Sequence, residues 1–134
     1  MEIAFLGFGL IGGSIARAVR ANPDTKGWTM AAWSPSGKGP RKAADDGVID
    51  VAGAKAESVV RDADLIVLAG PATSCLPLID KLAGRWRNVI RPDAIVTDVA
   101  STKAQIVERA DAAGLWFVGG AWRVFASHDQ PPSE

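Results

Sequence analysis

The sequence predicts an α/β domain of the doubly wound kind, a parallel sheet with helices on both faces. Three observations predict it. Short apolar runs alternate with longer amphipathic ones along the chain, and a glycine-rich turn follows directly on the first apolar run. The central run, "DLIVLAG" at residues 64–70, is apolar almost throughout, as a strand covered on both faces is. A length of 134 residues fits one such domain with a real core.

The elements follow in order. Ile3–Leu6 reads as a buried strand, and the helix after it carries Ile11, Ile15, Ala18 and Val19 on one face. "ANPDTKG", residues 21–27, is a turn, and Trp28–Trp33 is a second strand. A polar helix is predicted over Gly39–Asp46, ending at Gly47, then a short strand at Val48–Val51 and a short helix at Ala54–Val60. After the central strand, a helix presents Leu78, Ile79, Leu82 and Trp86 on one face, with Pro77 in its first turn, where a missing N–H does no harm. "AIVTDV", residues 94–99, is the next strand. Thr102 and Gln105 have capping-box spacing for a helix bearing Ile106, Val107 and Ala110 and stopping at Gly114. "LWFVGG", residues 115–120, closes the series.

Composition narrows the function classes. With 15 basic and 15 acidic side chains, charge offers no reason to expect nucleic acid or an anionic membrane as partner. A single cysteine, Cys75, leaves no internal disulfide, and with one histidine, His128, no metal centre is expected. No apolar run reaches the length of a membrane span, and "MEIAFLGFG" starts as a strand without the basic region of a signal peptide, so a cytoplasmic location is expected.

The chemistry begins at "GFGLIGGS", where Gly7, Phe8, Gly9, Leu10, Ile11 and Gly12 form a G-x-G-x-x-G turn between the first strand and a helix. That is the context of the dinucleotide-binding Rossmann fold. Gly7 permits the tight turn, Gly9 lets backbone approach a pyrophosphate, and Gly12 lets helix and strand pack closely. N–H groups of the helix start then face the phosphates. A purely structural strand–helix turn is the plainer alternative.

The acid that grips the adenosine ribose is expected about 20 residues beyond this loop. There the chain reads "AAWSPSGKGPRKA", residues 31–43, and no Asp or Glu occurs between Asp24 and Asp45. Ser34, Pro35, Ser36, Lys38 and Arg41 occupy the place instead. Hydroxyl donors and two cations suit a 2′-phosphate, and losing the acid removes the repulsion that would exclude it. The cofactor expected is NADP in preference to NAD; a solvated basic loop is the alternative.

Two further stretches carry a resemblance. "DLIVLAGPAT" ends the central strand with Ala69, Gly70, Pro71, Ala72 and Thr73, and "IVTDVASTKAQIVE" ends the next with Asp98, Ser101 and Lys103. With "GFGLIGGSIA" and "FVGG", these resemble the nucleotide-binding domain of the prephenate and arogenate dehydrogenases, over about residues 2–120. The resemblance implies a dinucleotide site that includes Ala69, Gly70, Pro71, Thr73, Asp98 and Ser101, with Ser101 near the nicotinamide and the hydroxyl being oxidised. Ser101 also reads as a helix-entry residue.

The resemblance breaks after Gly120. The family continues with a histidine that takes the proton from that hydroxyl, then Pro-Met-Ala-Gly; this chain has Ala121, Trp122, Arg123, Val124 and Phe125. Ala121 has no titratable group. Residues 1–120 are therefore read as an NADP-binding Rossmann domain and 121–134 as a divergent tail, without the family's helical substrate domain. The expected function is cofactor binding with little or no native dehydrogenase activity. Two alternatives stand beside it: an active oxidoreductase whose site is completed by oligomerisation, and a non-enzymatic dinucleotide-sensing domain. The apolar run "LWFVGGAWRVF", with Trp116, Phe117, Trp122 and Phe125, is expected to form a homo-oligomer interface.

Overall fold

In a computed structural model, the protein is described over residues 1–99 and 116–119, with backbone only at 72, 73 and 116–119. Six parallel strands form one sheet there: β1 (Glu2–Leu6), β2 (Thr29–Trp33), β3 (Val51–Ala52), β4 (Leu65–Leu68), β5 (Ile95–Asp98) and β6 (Trp116–Gly119). Their order is β3-β2-β1-β4-β5-β6. Helices α1 (Leu10–Ala21), α2 (Lys38–Asp45), α3 (Ala56–Val60) and α4 (Ala72–Ala83) connect them. This is the doubly wound parallel sheet that the alternation of apolar runs predicts.

Side chains of successive strand residues point to opposite faces, so each inner strand feeds two cores. Ile3, Phe5, Leu65 and Val67 pack with Ala16 and Val19 of α1 and Ala43 of α2. Ala4, Leu6, Ile66 and Leu68 pack on the other face with Val59 and Val60 of α3 and Leu78, Ile79 and Leu82 of α4. All four residues of β4 are buried. Each such aliphatic side chain contributes about 1.5–3 kcal/mol by leaving water.

Four local expectations are corrected. The buried face of α1 is Gly12, Gly13, Ala16 and Val19, whereas Ile11 is 53% exposed and Ala18 lies in solvent. Small residues let this helix lie close on the sheet, which turns the larger Ile11 away. The third strand is Val51–Ala52 and not Val48–Val51, because the Val48 and Ile49 N–H groups both turn back to the Ala43 carbonyl at the end of α2. Pairing to β2 resumes only where the Asp50 N–H reaches the Met30 carbonyl. Pro77 sits inside α4, in its second turn, with its ring on the exposed side of the helix. Trp86 is buried against the α3/α4 core but lies beyond the end of α4, in a turn held by its N–H to the Lys81 carbonyl. The expected helix between Thr102 and Gly114 lies outside the described residues.

Candidate functional site

At the C-terminal edge of the sheet, β1 and β4 are neighbours whose following helices leave to opposite faces, and this reversal opens a crevice. Backbone bonds align the loops that rim it. The Gly7 N–H donates to the Trp33 carbonyl at 2.7 Å, the Ala69 N–H to the Leu6 carbonyl at 2.9 Å, and the Val99 N–H to the Leu68 carbonyl at 3.2 Å. The ends of β2, β1, β4 and β5 are thereby held side by side.

The glycine turn has the geometry its spacing predicts. Gly7 has φ +84°, in the left-handed region. A methyl group on Gly12 would lie 3.1 Å from Ala69 Cβ, so α1 packs tightly on the loop after β4. Around Gly9 nothing lies within 4 Å of such a methyl, leaving its backbone open to a ligand. No side chain caps α1 and its first turn holds no acid, so its first N–H groups face the crevice without a competing anion. Leu10, 86% exposed, and Ile11 flank that opening. The Phe8 ring turns inward and meets Phe5 edge to face at 5.4 Å.

The second loop folds into a hydrogen-bonded turn. Ser34 Oγ accepts the Gly37 N–H at 3.0 Å, and Ser36 Oγ accepts the Lys38 N–H at 3.3 Å. Both hydroxyls keep their own hydrogen to donate. Pro35 and Ser36 are exposed, as are Lys38 and Arg41, and neither cation joins an ion pair among the described residues. The start of α2 lies against the glycine turn: a methyl group on Gly39 would come within 2.8 Å of the Phe8 carbonyl oxygen. Gly39 is the residue at this junction that sequence reasoning missed, since it offers no side chain to notice.

The third segment, Ala69–Gly70–Pro71, closes the crevice from β4, with Gly70 against Gly7. Beneath it lies Cys75, fully buried, whose thiol donates to the Gly70 carbonyl at 3.7 Å. Burial, and then the nearby Asp98 carboxylate, push that thiol up to about 11. Asp98 is fully buried at the end of β5. Of the other expected site residues, Thr73 is described by backbone alone, and Ser101 lies outside the described residues, as do Ala121 and His128.

Fold, switch point and glycine turn together define a Rossmann-type nucleotide-binding domain. The signature of the nucleotide-binding domain of prephenate dehydrogenase matches residues 15–123. The chain is 34% identical over 121 residues to the prephenate dehydrogenase of Bacillus subtilis (strain 168), covering 88% of this chain and 31% of that protein. Its fold superposes on Synechocystis arogenate dehydrogenase with a TM-score of 0.73 at 35% identity, covering 89% of this chain and 40% of that one. Against prephenate dehydrogenase from A. aeolicus, solved with hydroxyphenyl propionate and NAD+, the TM-score is 0.75 at 24% identity, again covering 89% and 40%. The chain belongs to the prephenate dehydrogenase family, through its nucleotide-binding domain. It spans less than half the length of these relatives.

Proposed function

We propose that this domain binds NADP(H) in preference to NAD(H). The observation that carries the reading is the turn at residues 34–41. Where an acid would accept the ribose hydroxyls, Ser34 stands, and Lys38 and Arg41 are cations without an ion-pair partner among the described residues. A 2′-phosphate there would meet hydroxyl donors and positive charge, with no carboxylate to repel it. The residues fit the rest of a dinucleotide as well: Gly9 is open, and α1 offers uncapped N–H groups to a pyrophosphate.

When bound, the nicotinamide supplies hydride transfer. The chain's own contribution would be to hold it with residues at the ends of β4 and β5, Gly70 and Asp98 among them, with Ser101 next along the chain. The resemblance gives Ser101 the place beside the hydroxyl to be oxidised, and it puts Ala121 where the family has its proton-accepting histidine. Ala121 cannot take that proton. The chain by itself therefore binds cofactor and turns over prephenate or arogenate slowly or not at all. A cytoplasmic location and self-association through residues 115–125 belong to the same proposal.

Calorimetric titration with NADP+ and NAD+ tests the first part, and a turnover assay with prephenate and with arogenate tests the second. Tighter NADP+ binding by about tenfold or more, roughly 1.4 kcal/mol, supports the reading. Equal affinities would refute the preference, and rapid turnover would refute the inactivity. Size-exclusion chromatography at several concentrations tests self-association; a monomer throughout would end it.

A further inference from the structure

Lys38 is flanked by two glycines, and the structure gives each a distinct reason to lack a side chain. Gly37 has φ +74°, and a methyl group there would sit 3.1 Å from the Arg41 Nη1 atom. The Arg41 guanidinium thus folds back along α2 and rests over Gly37, at the end of the helix that faces the crevice. On the other side, a methyl group on Gly39 would press to 2.8 Å from the Phe8 carbonyl oxygen and 3.7 Å from its ring. Real side chains do not tolerate the first of these distances, so either α2 or the glycine turn would have to shift.

The packing decides which one moves. Phe8 is anchored. Its ring meets fully buried Phe5 edge to face, and Gly12 and Gly13 of α1 pack over it, with methyl positions 3.5 Å and 4.0 Å from the ring. The start of α2 is held less firmly: Pro40 is buried, but Lys38, Gly39 and Arg41 are exposed, and Ser34 and Ser36 hold the turn by single hydrogen bonds. A side chain at position 39 therefore displaces α2 and leaves the pyrophosphate turn in place.

We propose that Gly37 and Gly39 are positioning residues for cofactor discrimination, Gly39 by setting the distance of α2 from the pyrophosphate turn and Gly37 by seating the Arg41 guanidinium. The role rests on the NADP reading given above. The two glycines act on the 2′-phosphate alone, because the groups they position are Lys38 and Arg41, whereas the pyrophosphate is held by the turn at Gly7–Gly12. A purely structural role would weaken both cofactors alike or lower stability without altering their ratio.

The test is the pair of dissociation constants for NADP+ and NAD+, measured on the full chain as it stands and on Gly39→Ala and Gly37→Asn. Asparagine tolerates the left-handed backbone, so the second variant folds even where the first does not. Wild type is expected to prefer NADP+. In each variant NADP+ binding falls by about tenfold, close to 1.4 kcal/mol, while NAD+ binding changes by less than about threefold. If wild type shows no preference, the NADP reading itself fails. If wild type prefers NADP+ and both variants keep the same ratio, or lose both cofactors equally, the positioning role fails while the NADP reading stands. Should Gly39→Ala not fold, the ratio in Gly37→Asn decides alone.

Discussion

Gly7 and Gly70 meet backbone to backbone across the point where the strand order reverses, between β1 and β4. A methyl group on Gly7 would lie 2.7 Å from the Gly70 nitrogen and 2.9 Å from its Cα. Two loops far apart in sequence are thus brought into contact at the floor of the crevice, and Gly7 has no room for a side chain. Gly7→Ala meets two penalties. The left-handed backbone costs about 1–3 kcal/mol, and the added carbon must push the loop after β4 away. We expect a fall in melting temperature of at least about 4 °C and loss of measurable NADP+ binding. A variant with unchanged melting temperature and affinity would show that the two loops are not held together in this way.

Ser34 supplies the sharpest change of cofactor choice. Its Oγ accepts the Gly37 N–H, and an aspartate carboxylate at that position can accept the same bond. Ser34→Asp therefore keeps the turn and adds a negative charge where a 2′-phosphate would approach. NADP+ affinity should fall by about 10²-fold, roughly 2.7 kcal/mol, while NAD+ affinity holds or improves. Titration with both nucleotides checks this, and a variant that still prefers NADP+ would place the 2′-phosphate elsewhere.

At the opposite end of the sheet Arg20 fastens three segments together. Its guanidinium donates to the carbonyls of Lys26 at 2.8 Å, Val48 at 3.3 Å and Trp28 at 3.4 Å, and to Asp50 Oδ2 at 2.8 Å. Asp50 Oδ2 also accepts the Met30 N–H at 2.8 Å. Partial burial alone would raise the Asp50 pKa, but the Met30 bond and the Arg20 charge together outweigh it and hold the carboxyl below its usual range. A carboxyl depressed in the folded state adds stability that is complete above its unfolded value, 3.8, and is lost as pH falls through the folded one. Asp50→Asn should thus be less stable than wild type at neutral pH, and the gap should narrow below about pH 4. Urea unfolding of both proteins across that range measures it. A gap independent of pH would assign the loss to something other than the charge.

Much of this was legible in the sequence, and the exceptions share a cause. The run at Leu65–Leu68 and the turn at Gly7–Gly12 announce themselves because strand burial and the glycine spacing are local rules. Small residues are harder to read. The buried face of α1 is built from Gly12, Gly13 and Ala16, and a pattern sought among large aliphatic residues points to Ile11 instead. Gly39 matters through the Phe8 carbonyl, a contact between segments that no spacing rule encodes. Val48 and Ile49 have strand composition, yet Gly47, with φ +76°, turns their N–H groups back to α2. The position of Pro77 follows from where α4 starts, at the loop against Gly7, and hence from tertiary contact as well.

Cys75 gives the last prediction, because burial and charge both act on it in the same direction. The thiol is fully covered beneath Gly70 and its pKa is pushed up to about 11, by burial first and then by Asp98. In the folded protein it stays protonated where the unfolded chain, near its ordinary value of 9.0, has already lost the proton. A group with a raised folded pKa supports the fold fully below the unfolded value and loses that support as pH rises through the folded one. Wild-type stability should therefore decline between pH 9 and 11 more steeply than that of Cys75→Ala. The alanine variant starts lower by about 1 kcal/mol, from the space it leaves. Alkylation gives an independent reading, since the thiolate is the nucleophile: the native thiol should resist iodoacetamide at about pH 8, and denaturant should release it. Fast native alkylation, or parallel stability curves for the two proteins, would mean that the cover formed by Gly70 and Pro71 opens readily and that Asp98 does not act on the sulfur.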